Sequence, residues 1–224
     1  HFEARRQRQM CIRDSVTAGV RRMMNNTGQS CNAPSRMLVQ SSVYDQAVKI
    51  AKIAAEDIAV DQPTKEGGHL GPLSSRVQFD KVQGLIKKGI EEGANVVAGG
   101  PGKPDGLDIG YFVKPTVFSG VSNDMTIAQE EIFGPVLTMI SFDTEEQAIE
   151  IANDTPYGLA AYFSTASEER AARVASQLRA GMISVNSASQ NYTAPFGGYK
   201  QSGNGREWGE FGFDDFLEIK GITR

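Results

Sequence analysis

The sequence predicts an α/β domain with a mainly parallel sheet and helices on both faces. Two observations carry that reading. Between Ser42 and Asn186, short apolar runs alternate with helical patterns of roughly 10–15 residues, the arrangement that βαβ units produce. The composition is that of an ordinary globular chain, 40% hydrophobic and 22% charged. Its 224 residues are enough for one large domain or two small ones with a full core.

Each element has its own signal. From Ser42 the pattern is helical, with Tyr44, Val48, Ala51, Ala55 and Ile58 on one face and Ser42 and Asp45 spaced as a capping start. Pro and Gly in "DQPTKEGGHLGPL" break it. A second helix starts near Ser75, with Val82, Leu85, Ile86 and Ile90 facing inward and Gly93 closing it. "ANVVAGG" reads as a short buried strand and "PGKPDGLDIG" as an exposed turn. "YFVKPTVFSGV" is extended, with Pro115 indicating an edge or a bend. Next come a strand in "PVLTMISF", a capped helix in "DTEEQAIEIANDT" and a strand in "GLAAYFST". "SEERAARVASQLRAG" is a helix with Ser167 as cap and Gly181 as stop, and "MISVN" is a strand. The chain then turns loop-rich in "SASQNYTAPFGGYKQSGNG" and ends in a short helix or turn followed by an extended tail.

Bulk chemistry narrows the function classes. The net charge of −4 leaves no footprint for nucleic acid, and no apolar run approaches the about 20 residues of a membrane helix. Two cysteines make neither a disulfide framework nor a zinc cluster, and the only histidines are His1 and His69. The expectation is a soluble, cytoplasmic chain with no metal site, no nucleic-acid partner and no membrane partner. Residues 1–15, "HFEARRQRQMCIRDS", are basic and aperiodic. They read as a non-native or mis-joined segment, with an Arg-rich transit peptide as the alternative.

Cys31 is then the cysteine of interest. It sits in "GQSCNAPSR", among small and turn-forming residues, where a structural cysteine would prefer apolar neighbours. The residues alone leave it open between a nucleophile and an unreactive thiol in a turn. His69, in "EGGHLGP", is the one imidazole that could serve a thiol hydrolase, and it also reads as a polar loop histidine. Three further stretches stand out. "EEIFGPV" sets Glu130 and Glu131 before an aromatic and a Gly-Pro, "NDTPYGLAA" follows, and "PFGGYKQSG" is a Gly-rich loop with one lysine.

With "GQSCNAPSR", these four motifs, in this order and spacing, make the chain resemble the aldehyde dehydrogenase superfamily over residues 16–224, and its hydrolytic branch in particular. The resemblance implies that Cys31 attacks an aldehyde to give a thiohemiacetal. Hydride transfer to NAD or NADP then leaves a thioester that water hydrolyses. It assigns Glu131 to the nicotinamide ribose, Phe133 to the side of the nicotinamide, and Phe196 to the substrate tunnel. Polar Ser189, Gln190 and Asn191 beside that tunnel hint at some substrate polarity. The resemblance divides the chain into a catalytic domain over 16–202 and a tail over 203–224. That tail returns to the cofactor domain and begins an oligomerisation strand, with a homo-dimer or tetramer as the assembly of the full-length parent.

Three parts of the family pattern are not in this sequence: the Rossmann-like cofactor domain, the general-base glutamate and the asparagine of the oxyanion hole. No G-x-G-x-x-G replaces the first. Base catalysis typically contributes ~10²–10⁴-fold, so the expectation is a partial enzyme with negligible turnover alone. The alternatives are a non-catalytic short paralogue acting as an assembly module, and a cofactor-free thiol esterase.

Overall fold

A computed structural model describes residues 2–224, with side chains from Ile12 onward. The chain forms two compact units, one up to Ile151 and one from Ala152 to Arg224. In the first, the elements are α1 (Phe2–Met24), β1 (Arg36–Gln40), α2 (Tyr44–Glu56), α3 (Arg76–Glu91), β2 (Asn95–Ala98), β3 (Thr116–Ser119), α4 (Thr126–Gln129) and β4 (Val136–Phe142), with α5 (Glu145–Asn153) at the unit boundary. The sheet order is β1-β4-β3-β2. β4 is parallel to both β1 and β3, and only the edge strand β2 runs antiparallel.

β4 is central because its apolar residues are continuous, so both of its faces can be covered. Leu137 and Met139 join Val117 and Val39 in a core with α1 and α2, while Val136 and Ile140 join Phe118 in a core with α3 and α4. Helices thus cover both faces, as predicted. Tyr44 ties α2 to the sheet by donating to Met139 O at 2.8 Å and accepting from Gly120 N at 2.9 Å. Burial pushes its phenol above the ordinary value.

Several expectations are refined. β3 is an interior strand, so Pro115, which directly precedes it, does not mark an edge. β2 is the edge, and its Asn95 and Val96 are exposed. Ser75 caps α3 by accepting from Gln78 N at 3.2 Å, and Gly93 closes it at φ +94°. There, Gly93 N donates to Ile90 O and Ala94 N to Gly89 O, a Schellman closure. Val82 and Ile86 are fully buried, but Ile90 is 42% exposed. At 3.6 residues per turn, Ile90 lies about 80° around from Val82, and Gly89 takes the inward position. Helix α1 runs through residues 15 and 16 without a break and buries Val16, Val20, Met23 and Met24.

In the second unit, β5 (Ala160–Phe163) pairs in parallel with β6 (Met182–Val185), from Ala160↔Met182 to Phe163↔Val185. α6 (Glu168–Gln177) makes the crossover. Ser167 caps α6, but the helix ends before Gly181, because Leu178 is already extended. The Asn153 side chain receives Arg179 N at 2.7 Å and donates to Gln177 O at 2.9 Å, which holds the exit. After β6 come two short 3-10 turns, Lys200–Ser202 and Phe211–Phe216, and then residues without regular structure. No helix among the described residues is long and apolar enough to cross a membrane.

Candidate active site

Cys31 lies between α1 and β1, in a segment whose backbone is closely specified. A 3-10 turn over Asn25–Gly28 carries Asn26, Thr27 and Gly28 at φ of 51°, 56° and 69°. Ala33 N then donates to Ser30 O at 2.9 Å, which puts Cys31 and Asn32 at the tip of a β-turn. The Cys31 thiol is free and exposed. Two side chains fasten the approach to it. Thr27 Oγ1 donates to Gly71 O at 3.2 Å, and Gln29 Oε1 accepts from Ser74 N at 2.8 Å.

Glu131 and Phe133 lie on the loop between α4 and β4. Glu131 is exposed and Phe133 is half-buried, with a left-handed backbone at φ 55°. Helix α3 holds this loop from one side. Gln78 Nε2 donates to Ile132 O at 2.9 Å and Phe133 O at 2.8 Å, and Lys81 Nζ donates to Glu131 O at 2.6 Å. Glu130 is exposed, and its N–H closes on Thr126 O at 2.9 Å.

The two loops meet backbone to backbone. A Cβ at Gly28 would lie 2.1 Å from Gly134 O and 2.9 Å from Pro135 N, so the cysteine motif rests on the Gly-Pro of the glutamate motif. Both loops also enter adjacent parallel strands, β1 and β4, at the same end. Ser35 O accepts there from Thr138 N at 2.9 Å and from Thr138 Oγ1 at 3.0 Å. The structure therefore brings Cys31 into one assembly with Glu131 and Phe133. His69 Nε2 lies 3.0 Å from Gln62 O, a partner within its own loop.

Phe196 belongs to the second unit. It exchanges two 2.7 Å backbone hydrogen bonds with Glu207, and its ring packs against Trp208. The other two motifs interlock here. Lys200 Nζ donates to Asn153 O at 2.6 Å and Thr155 O at 3.1 Å, and Tyr199 N donates to Gly158 O at 2.8 Å. Gly158 N in turn donates to Ser202 Oγ at 3.0 Å.

Sequence reading passed over Gln78, Lys81 and Trp208. Gln78 and Lys81 sit three apart on a helix, hence on one side of it, and that spacing was the available signal.

Comparison with known proteins gives this arrangement its context. The profile of the aldehyde dehydrogenase family matches residues 11–222. A 3-succinoylsemialdehyde-pyridine dehydrogenase of a Pseudomonas species is 54% identical over 94% of this chain, which spans 44% of that relative. Aldehyde dehydrogenase C of Pseudomonas syringae, solved as a cysteine-to-alanine mutant with NAD+ and octanal, superposes with a TM-score of 0.90 at 47% identity. The match covers 92% of this chain and 43% of that one. A Mycobacterium tuberculosis aldehyde dehydrogenase solved with NAD+ gives 0.85 at 44% identity, over 92% and 44%. The chain thus spans less than half the length of these relatives. With four motifs in order, a sheet of the matching architecture and this breadth of similarity, the chain belongs to the aldehyde dehydrogenase family.

Proposed function

We propose that this chain carries the nucleophile and the nicotinamide-side contacts of an NAD(P)-dependent aldehyde dehydrogenase that oxidises an aldehyde to a carboxylic acid. The observation that supports it most is the backbone contact between the Cys31 turn and the Glu131–Phe133 loop, made at Gly28 and Gly134. A nucleophile and a cofactor-holding loop must share one rigid frame for transfer between their ligands. The relatives solved with NAD+ support the choice of cofactor.

Cys31 gives up its thiol proton to solvent, and the sulfur adds to the aldehyde carbon, forming a C–S bond as the C=O π bond breaks to an alkoxide. Its own N–H, at the turn, is the donor for that oxygen. Loss of hydride from the same carbon leaves a thioester on Cys31. Water then breaks the C–S bond, releasing the acid and restoring the thiol. When bound, NAD or NADP supplies the acceptor for the hydride. The residues present suit it. Glu131 offers an exposed acceptor-only carboxylate of the kind that paired ribose hydroxyls need, and Phe133 offers a half-buried ring beside it. Gln78 and Lys81 fix the backbone that carries both. Phe196 faces the substrate in this reading. The protein acts in the cytoplasm on a small aldehyde, and the full-length parent is a homo-dimer or tetramer, whose contacts the exposed Phe211, Phe213 and Phe216 of the 203–224 tail supply.

The test is trapping on Cys31. The chain is incubated with octanal at high NAD+, quenched in acid and digested. The Cys31 peptide is expected to gain the mass of octanal less two hydrogens, only when NAD+ is present, and Cys31→Ser is expected to gain nothing. A folded chain with no adduct under saturating reactants refutes the reading. Acylation of Cys31 by p-nitrophenyl acetate, with no aldehyde-derived adduct, would favour the esterase instead.

A further inference from the structure

We propose that Trp208 is a positioning residue that sets the ring of Phe196, so that Phe196 and Tyr192 present a stacking surface for a planar, ring-bearing substrate. The inference rests on the proposed substrate-facing role of Phe196. Trp208 lies between two other rings, with centroids 4.8 Å from Phe196 and 4.9 Å from Tyr192 and interplanar angles of 46° and 56°. Both distances fall in the range of attractive tilted pairs.

The backbone holds Trp208 there against its own preference. Its φ is +66°, an unusual conformation for so bulky a residue. Two contacts keep it in place. On one side, Glu207 is locked to Phe196 by the paired 2.7 Å hydrogen bonds. On the other, Gly209 approaches so closely that a Cβ would lie 2.3 Å from Thr193 O. The loop it meets is itself ordered, with Thr193 N and Oγ1 both donating to Asn191 Oδ1. Trp208 therefore joins the strand-like pairing of Phe196 to the loop that carries Tyr192. Tyr192 is 67% exposed, while Phe196 and Trp208 are half-buried, so the cluster keeps open ring surface. A backbone strained to aim one indole at two rings points to recognition.

Trp208 is the single tryptophan of the chain, so its emission reports on the cluster directly. Titration with phenylacetate, a planar ring bearing a carboxylate, is expected to change that emission saturably. Hexanoate, which has the carboxylate without the ring, is expected to bind roughly 2- to 12-fold more weakly, the ratio one favourable ring pair supplies. Affinities measured by saturation-transfer NMR extend the test to variants. Trp208→Phe is expected to keep the preference for phenylacetate and Trp208→Leu to lose it. An unchanged preference in Trp208→Leu, or equal loss in both, overturns the positioning role. If Trp208→Leu does not fold, the wild-type titration decides. An emission that phenylacetate leaves unmoved, or that both ligands change at equal concentration, overturns the proposal. These measurements need no cofactor and no Cys31 chemistry. Absence of the Cys31 adduct with the preference intact refutes the dehydrogenase reading alone, and the reverse result refutes this inference alone.

Discussion

Gly28→Ala is the sharpest perturbation available at the site. Gly28 has φ +69°, which costs an alanine about 1–2 kcal/mol by the left-handed penalty alone. The added methyl would lie 2.1 Å from Gly134 O, whereas ordinary contact begins at 3.4 Å, so 3.4 − 2.1 = 1.3 Å of movement is required. The obstacle is backbone and cannot rotate away as a side chain could. Overpacking of this kind typically costs ~1–3 kcal/mol, so the total is about 2–5 kcal/mol. The control is Gly106→Ala, with a comparable φ of +76° and nothing within 4 Å of its Cβ, which isolates the backbone penalty. Urea unfolding of the two variants gives the difference. A second readout is the alkylation rate of Cys31, which should change in Gly28→Ala and not in Gly106→Ala. If the two variants lose equal stability, the backbone contact between the motifs is not what glycine serves.

Gln29→Ala leaves Ser74 N–H without its 2.8 Å acceptor and should cost about 1 kcal/mol, with faster hydrogen exchange at Ser74. Gln78→Leu removes the donor to Ile132 O and Phe133 O, and a loss of roughly 1–3 kcal/mol on thermal unfolding is expected. Glu92 accepts from Thr126 Oγ1 at 2.6 Å and Thr126 N at 2.8 Å, and the hydroxyl bond foremost holds its carboxyl below the ordinary value of 4.5. A depressed folded-state value adds stability that is present above pH 4.5 and lost as pH falls through the lower folded value. Glu92→Ala should therefore be less stable than the parent by about 1 kcal/mol near neutrality, as for a lost helix cap, with the gap closing in acid. A gap independent of pH would refute that account. Phe216→Asp, at a site 86% exposed, should reduce concentration-dependent light scattering.

Sequence pattern was most legible where one face or one cap decides an element. Gly93 and Ser167 act as read, α3 starts after Ser75, and the run in β4 is buried as its composition implies, whereas Ser42 makes no cap and Val43 takes the N-cap position of α2. It was least legible where tertiary contacts override a local signal. Gly181 looks like a helix stop, but Asn153 takes the exit of α6 instead. α1 was obscured because its buried set of Val16, Val20, Met23 and Met24 follows a long basic stretch that hides the spacing. At the site, the motifs marked Cys31, Glu131 and Phe133, whose proposed chemistry is local to the residue. They did not mark Gln78 or Trp208, whose effect is on a neighbour's backbone or ring and depends on the fold that places them.

The glycines of the motifs illustrate the same distinction. Gly197 looks like turn-forming sequence, yet it has no left-handed φ. Its Cβ would instead lie 2.2 Å from Gly205 O, so the residue is small because another backbone passes against it. Gly28 combines the two needs, a left-handed backbone and the contact at Gly134. In each unit a pair of motifs distant in sequence is joined through such a contact: Gly28 on Gly134, and Gly158 against Arg179 O and Tyr199. Side chains then reinforce the joint, with Gln29 on Ser74 in one unit and Lys200 on Asn153 and Thr155 in the other. Much of what makes these motifs recognisable is therefore the geometry of joining loops. The residues proposed for the chemistry, Cys31 and Glu131, are exposed side chains set on that frame.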